Sequence, residues 1–102
     1  MSKITIKEFA DLIRENGLPQ LYGRMYDYEG GKPIGACAMG QAWINIEKKY
    51  KGVHFAQTNW YDPVWTNVIK MNDKDKLTLP QIADQLEIRF ADHLNENVLR
   101  AS

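Results

Sequence analysis

The chain has 102 residues, the size of one domain, and 44% of them are hydrophobic, which is enough for a single core. Its 13 basic and 13 acidic residues balance, so nothing favours a nucleic-acid partner beyond the short basic run at Lys48–Lys51. A single cysteine excludes an internal disulfide and a zinc site made of several thiolates. We therefore predict one globular domain over residues 1–102.

The first predicted helix covers residues 5–16, where apolar residues recur with the spacing of a helix. Thr5 and Glu8 have the spacing of a capping box, in which each side chain binds the backbone of the other residue. Gly17 is predicted to end the helix in the left-handed conformation that glycine tolerates. The predicted buried face consists of Ile6, Phe9, Ala10, Leu12 and Ile13.

A β-hairpin is the first interpretation of residues 20–35. The segment Leu21–Tyr28 is aromatic and partly alternating, and Glu29–Lys32 contains two adjacent glycines, which favours a turn. Residues Pro33 and Ile34 then form a short return strand. An irregular loop held in place by its aromatic side chains is the alternative that the sequence leaves open.

The second predicted helix covers residues 36–51 and begins where small residues cluster inside an apolar run. Gly40 disfavours a helix interior by about 1 kcal/mol relative to alanine, so we expect another element to pack directly on it. We expect the third and fourth helices to cover this small-residue seam, which includes Cys37. The predicted buried stripe consists of Ala36, Met39, Trp43, Ile46 and Tyr50.

The third predicted helix starts with Asp62 as its cap and Pro63 at its first position, and it ends near Asn72. Its first apolar row contains Val64, Val68 and Met71, and a neighbouring row contains Trp65 and Ile69. Both rows are candidates for burial.

The fourth predicted helix starts at a second capping box, formed by Thr78 and Gln81, and runs to about Asn95. Asn72 and Asp73, in the loop before it, are expected to satisfy the backbone ends of the two flanking helices and to fix their angle. The tail over residues 97–102 is expected to fray. The predicted fold is therefore mainly α: a compact four-helix domain with a short β-hairpin between helices 1 and 2.

Cys37 at the start of the second helix is the one candidate nucleophile, because a helix N-terminus lowers the pKa of a thiol. A catalytic thiol also needs a base, and a helix ending near Gly52 is about 22 Å long. His54 lies too close in sequence to that far end to return to Cys37, which leaves Asn59 and His93 as partners. A buried packing cysteine is the favoured interpretation, and no catalytic residue is assigned.

No metal site or cofactor is predicted. Asp73 and Asp75 are spaced like the first ligands of a calcium loop, but Thr78 stands where that loop requires glycine. The chain also has no glycine-rich phosphate loop followed by a helix.

Aromatic side chains with polar tips give the strongest indication of a binding surface, because such residues suit interfaces and small-ligand pockets. An ordinary role in the core is the competing interpretation. The candidate binding residues are Tyr26, Tyr28, Trp60, Tyr61 and Trp65, and Tyr22 and Phe55 belong to the same group.

Two motifs together carry a family resemblance over roughly residues 34–90. The run Cys37–Gly40 after a glycine-rich turn resembles a Cys-Ala-hydrophobic-Gly-Ala signature. The run Ile69–Asp73, followed by Thr78 and Ile82, resembles a hydrophobic-x-x-Asn-Asp…Thr-x-x-x-hydrophobic signature. The pair is similar to motifs of small uncharacterised proteins of bacteria and their phages, and it implies a compact helical domain without a known activity.

The sequence thus predicts a small non-enzymatic protein that binds another protein or itself, such as a phage or mobile-element accessory protein acting on a host protein. A cysteine-dependent hydrolase and a small-molecule sensor with an aromatic pocket are the alternatives. No apolar run approaches the roughly 18 residues of a membrane span, and the N-terminus lacks a signal-peptide block, so no membrane partner and a cytoplasmic location are expected. The residues with predicted structural roles are Cys37, Gly40, Asn72, Asp73 and Thr78.

Overall fold

The computed structural model describes residues 4–15, 17–51 and 59–100 and has the predicted mainly α fold. Four helices surround one core, and a two-stranded antiparallel hairpin lies between the first two helices. The elements are α1 (Ile6–Arg14), β1 (Tyr26–Glu29), β2 (Lys32–Ala36), α2 (Ala38–Lys49), β3 (Asn59–Trp60), α3 (Asp62–Asp73), α4 (Leu79–Arg89) and β4 (Leu99–Arg100). Among the described residues, no helix has the length and apolar character that a bilayer crossing requires.

Helix α1 begins as predicted and ends slightly early. The Thr5 hydroxyl accepts a hydrogen bond from the Glu8 N–H at 3.1 Å, while the Glu8 carboxylate accepts from Lys49 and Tyr50 at the end of α2. The Glu8 side chain therefore ties two helices together instead of completing the capping box. The predicted left-handed stop at Gly17 is wrong, because the helix ends at Arg14 and Gly17 does not have a positive φ.

The hairpin is confirmed, and its turn shows why two glycines are needed. Gly30 and Gly31 have φ values of 58° and 79°, in the left-handed region that side chains other than glycine rarely adopt. The pairing of β1 with β2 shifts by one residue between Asp27 and Tyr28, which leaves Ile34 as the extra residue of a bulge.

Helix α2 runs without a break from Ala38 to Lys49, close to the predicted range, with Cys37 as its N-terminal cap. The element that covers its small-residue seam is the hairpin. A Cβ atom built on Gly40 would lie 2.6 Å from the Met25 carbonyl oxygen and 3.0 Å from the Tyr26 ring. The prediction that α3 and α4 close on this seam is therefore wrong at Gly40, whereas α3 does contact the N-terminal end of the seam, where Trp65 and Ile69 line a cavity with Cys37.

Helix α3 is capped by Tyr61, one residue before the predicted cap, and Pro63 lies in its first turn. The two apolar rows of this helix have different environments. Val64, Val68 and Met71 are buried, whereas Trp65 is half-buried and Ile69 is 37% exposed. The second row therefore forms part of the surface.

Helix α4 starts at the predicted capping box, in which Thr78 and Gln81 each bind the backbone of the other. It ends at Arg89, before the predicted end near Asn95, and a 3-10 turn over Ala91–His93 follows it. Phe90 caps the helix, and its N–H donates to the Leu86 carbonyl.

Residues 97–100, where we expected fraying, form part of the fold. Leu99 pairs with Trp60 in the two-stranded sheet of β3 and β4, and the Val98 N–H donates to the Ile4 carbonyl at 2.9 Å. Val98 and Leu99 are buried. Pairing on both sides of this segment satisfies its backbone groups, and the two buried side chains fill the end of the core.

Candidate functional site

The two motifs of the family resemblance meet at the buried side chain of Asn72, which is 1% exposed. Its Oδ1 accepts from the Ala38 N–H at 3.0 Å and from the Gln20 amide at 2.9 Å. Its Nδ2 donates to the Leu21 carbonyl at 2.8 Å and to Asp73 Oδ1 at 2.7 Å. Asn72 therefore caps α2, a distant helix, and not the two flanking helices for which we predicted this role.

The segment before the hairpin is fixed to the loop between α3 and α4 by the same group of side chains. Asp73 Oδ1 accepts from the Gly23 N–H at 2.9 Å, and the Gln20 amide also donates to the Leu77 carbonyl at 2.8 Å. On the α2 side, the Gln41 amide donates to the Leu18 and Ala36 carbonyls. These bonds set the position of the chain that enters β1, and hence of the hairpin.

Cys37 lies at a helix start but does not have the properties of an activated thiol. Its backbone N–H donates to the Met25 carbonyl at 3.0 Å, and its side chain is half-buried. Burial raises the pKa of the thiol, although the N–H groups of Gly40 and Met39 act in the opposite direction. Desolvation of the thiolate therefore outweighs the helix terminus.

The structure gives the Cys37 thiol no catalytic partner among the described residues. His93 is half-exposed, and its Nδ1 lies 3.1 Å from a carboxylate oxygen of Glu96. The side chain of Asn59 and all of His54 are outside the described residues. Within the part of the chain that the structure describes, the cavity beside Cys37 is lined by no histidine.

The candidate binding aromatics divide into a core group and a surface group. The Trp60 ring packs with its centroid 5.7 Å from Phe9, 5.7 Å from Trp43 and 5.4 Å from Trp65. Tyr61 packs edge-on against Phe90 at 6.5 Å. Trp60 and Tyr61 therefore pack against the core, whereas Trp65 also lines a cavity at the surface.

Tyr26 and Tyr28 line a groove of about 360 Å³ between the hairpin and α2. Their ring centroids are 5.6 Å apart, and Tyr28 is 61% exposed. Within the described part of the chain, neither hydroxyl has a hydrogen-bond partner. We call this surface the tyrosine groove; it is lined by Met25, Tyr26, Tyr28, Pro33, Trp43, Ile44 and Glu47.

The charge in the tyrosine groove comes from Glu47, at the exposed side of α2. Its carboxylate accepts a hydrogen bond from Trp43 Nε1 at 2.7 Å. Burial raises the pKa of the Tyr26 phenol, and the nearby Glu47 carboxylate acts in the same direction. The phenol therefore stays protonated and remains a hydrogen-bond donor.

Sequence reasoning identified part of this groove. Tyr26 and Tyr28 are two residues apart on a strand, so their shared face follows from the strand period. Pro33, Ile44 and Glu47 were not predicted, because they lie on other elements and carry no motif of their own. Only the packing of the hairpin on Gly40 brings them together with the tyrosines.

Comparisons with protein-family models, with curated proteins and with solved structures found no match to this chain. Among the described residues, no group of three or more histidine, cysteine, aspartate or glutamate side chains is arranged to hold a metal ion. The geometry of the surface is therefore the basis for assigning a function.

Proposed function

We propose that the protein is a non-enzymatic binding module that holds a proline-rich, extended segment of another protein in the tyrosine groove. The observation that carries this proposal is the pair of adjacent tyrosines above an apolar floor, with both hydroxyls available as donors. The resemblance to small bacterial and phage proteins makes a host protein the partner that we propose.

The chemistry of the groove fits a polyproline II segment. Such a segment has no internal hydrogen bonds, so its backbone carbonyls are free to accept from donors such as the Tyr26 and Tyr28 hydroxyls. Its proline rings are apolar and pack well on aromatic side chains, and aromatic-lined grooves are a recurring way of binding it. Pro33 and Ile44 extend the apolar surface beside the two rings.

Glu47 adds a preference for charge. Its carboxylate accepts one bond from Trp43 and remains exposed, so it can also pair with a cation of the bound segment. We therefore expect tighter binding of proline-rich segments that contain an arginine or a lysine.

The test is fluorescence anisotropy with a labelled ten-residue proline-rich peptide that contains one arginine. The comparison peptide has the same charge, with glycine and serine in place of proline. Tyr28→Ala should weaken binding of the proline-rich peptide at least tenfold, which corresponds to about 1.4 kcal/mol. Glu47→Gln, which can still accept from Trp43, should remove the preference for arginine over a neutral residue.

The matched control is Tyr22→Ala, because Tyr22 is also an exposed tyrosine but is not part of the groove. It should leave binding unchanged. Equal affinity for the two peptides, or equal effects of the two tyrosine substitutions, would contradict the proposal. Binding of a small metabolite in the same groove, with no peptide binding, would favour the sensor alternative.

A further inference from the structure

We infer that a second surface, on the outer side of α3, binds an acidic amphipathic helix of a partner protein. The inference goes beyond the proposed function, because the partner segment has different chemistry and the surface consists of other residues, apart from Met25, which lines both surfaces. Two adjoining cavities form this surface, and they share Trp65, Ile69 and Asp73. We call the combined surface the lysine-rimmed groove.

The smaller cavity is suited to one apolar side chain. It has a volume of about 140 Å³ and its apolar lining consists of Met25, Cys37, Met39, Trp65 and Ile69. An apolar cavity of about 150 Å³ holds a benzene molecule, so this pit is of the right size for a leucine or phenylalanine side chain. Its two methionines can adjust to the shape of such an anchor.

The larger cavity, of about 410 Å³, continues this surface along α3 and has a basic edge. Lys70 and Lys74 line it, both are exposed, and neither has an ion-pair partner within the described residues. Asp73 also lines this cavity and keeps its negative charge, but its Oδ1 is held by the Gly23 N–H and the Asn72 amide, so two lysines stand against one carboxylate along this edge. A partner with carboxylates therefore complements this edge.

The remaining charges near the edge do not cancel the charge of the two lysines. The Arg24 guanidinium, which lines the smaller cavity, pairs with Asp27 at 2.7 Å, so this pair adds no net charge. The Lys76 ammonium lies 4.4 Å from the centre of the Tyr22 ring, on the loop after α3. With the Arg24–Asp27 pair balanced, Lys70 and Lys74 outnumber Asp73 in the lining of the two cavities, and this net positive charge favours an acidic partner.

The arrangement of residues on α3 favours a helical partner. Trp65 and Ile69 are four positions apart, and so are Lys70 and Lys74, so an apolar row runs beside a basic row along the same helix. A partner helix with apolar residues at positions i, i+3, i+4 and i+7 and with acidic residues beside them would match both rows.

The test is a selection of 14-residue peptides from a displayed random library against the intact protein. We expect enriched peptides that combine aspartate or glutamate with aromatic or aliphatic anchors at helical spacing. Their affinity should fall at least tenfold in the double variant Lys70→Gln/Lys74→Gln. Glutamine is chosen because it removes the charge without placing a carboxylate at the C-terminal end of α3.

The matched control is Lys32→Gln/Lys48→Gln, which removes the same charge from exposed lysines outside the lysine-rimmed groove. Peptide affinity should stay within twofold of the unmodified protein. Binding should also slow the alkylation of Cys37 by iodoacetamide, because the thiol lines the pit.

Enrichment of basic peptides, or of none, would overturn the inference. So would tight binding of a fluorescent single-stranded oligonucleotide that the Lys70/Lys74 variant abolishes, since the basic edge would then belong to a nucleic-acid site. Failure of the proline-rich peptide leaves this inference intact, because Tyr28 and Glu47 are not part of the groove tested here.

Discussion

Two of the places where polar side chains join the helices of this molecule differ in kind. Between α1 and α4, the Arg14 guanidinium contacts Asp11, Asp84 and Glu87, and Lys7 contacts Asp11 and Glu87, all on the partly exposed surface. At the start of α2, the buried side-chain amide of Asn72 joins α2, α3 and the segment before the hairpin.

Exposed ion pairs and buried hydrogen bonds contribute differently to the free energy of unfolding. Exposed ion pairs contribute about 0–1 kcal/mol each, because water and salt screen them. A buried polar group that loses its partner costs about 1–3 kcal/mol, because water cannot replace the lost bond. We therefore expect the single amide of Asn72 to contribute more to stability than any one of the exposed ion pairs, and four substitutions test and extend this ranking.

Asn72→Ala should have the largest effect, a loss of about 2–4 kcal/mol in the free energy of unfolding. The substitution removes four hydrogen bonds and leaves the buried N–H of Ala38 without its acceptor. Urea denaturation followed by circular dichroism measures the change. Asn67→Ala is the control, because Asn67 lies on the same helix with hydrogen bonds at the surface, and it should change stability by less than about 1 kcal/mol.

Gly40→Ala should destabilise the protein by up to about 2 kcal/mol, because the added methyl overlaps the Met25 carbonyl and the Tyr26 ring. The overlap costs about 1–3 kcal/mol, and the gain in helix propensity returns about 1 kcal/mol of it. The hairpin must move, so amide NMR signals of residues 25–28 should shift. Gly17→Ala is the control: a methyl there meets no atom within 4 Å, and stability should be unchanged or slightly higher. A neutral Gly40→Ala would show that the seam is loosely packed.

Thr78→Ala should destabilise the protein by about 1 kcal/mol, an intermediate effect. The Thr78 hydroxyl satisfies a backbone N–H at the exposed start of α4, and water partly replaces it. Thermal unfolding measures the loss. Thr66→Ala, on the exposed side of α3, should be close to neutral. Equal effects of these two substitutions would mean that the capping box does not stabilise α4.

Arg14→Gln should have the smallest effect, about 0.5 kcal/mol at low salt, and the effect should disappear in 0.5 M NaCl. The loss of stability in Asn72→Ala, in contrast, should not depend on salt, because the Asn72 amide is uncharged and buried. Urea denaturation of both variants at two salt concentrations measures the difference. A salt-independent loss in Arg14→Gln would place these charges with the buried contacts.

The pH dependence of the same variant has a definite sign. Hydrogen bonds from Arg14 and Lys7 lower the pKa of Glu87, so its contribution to stability is present above the unfolded pKa of about 4.3. That contribution is lost as the pH falls through the lower folded pKa. The difference between the unmodified protein and Arg14→Gln should therefore shrink below pH 4, which urea denaturation at pH 7 and pH 3 would show.

Local patterns were sufficient to predict much of the fold. The Thr78–Gln81 capping box, the two-glycine turn at Gly30 and Gly31, and the continuous α2 all depend on residues within a few positions of one another. The strand period is also sufficient to explain why Tyr26 and Tyr28, two residues apart on β1, share a face. Interactions of this range are fixed by backbone preferences, so the sequence by itself determined them.

What only the tertiary structure decided is which distant groups meet. Asn72 and Ala38 are 34 positions apart, and nothing local indicates that the amide of one caps the helix of the other. The cover on Gly40, the pairing of β3 with β4, and both grooves depend in the same way on how the elements pack. A side chain's local preferences are set by its neighbours in the chain, whereas its partners in space are set by the burial of the whole core.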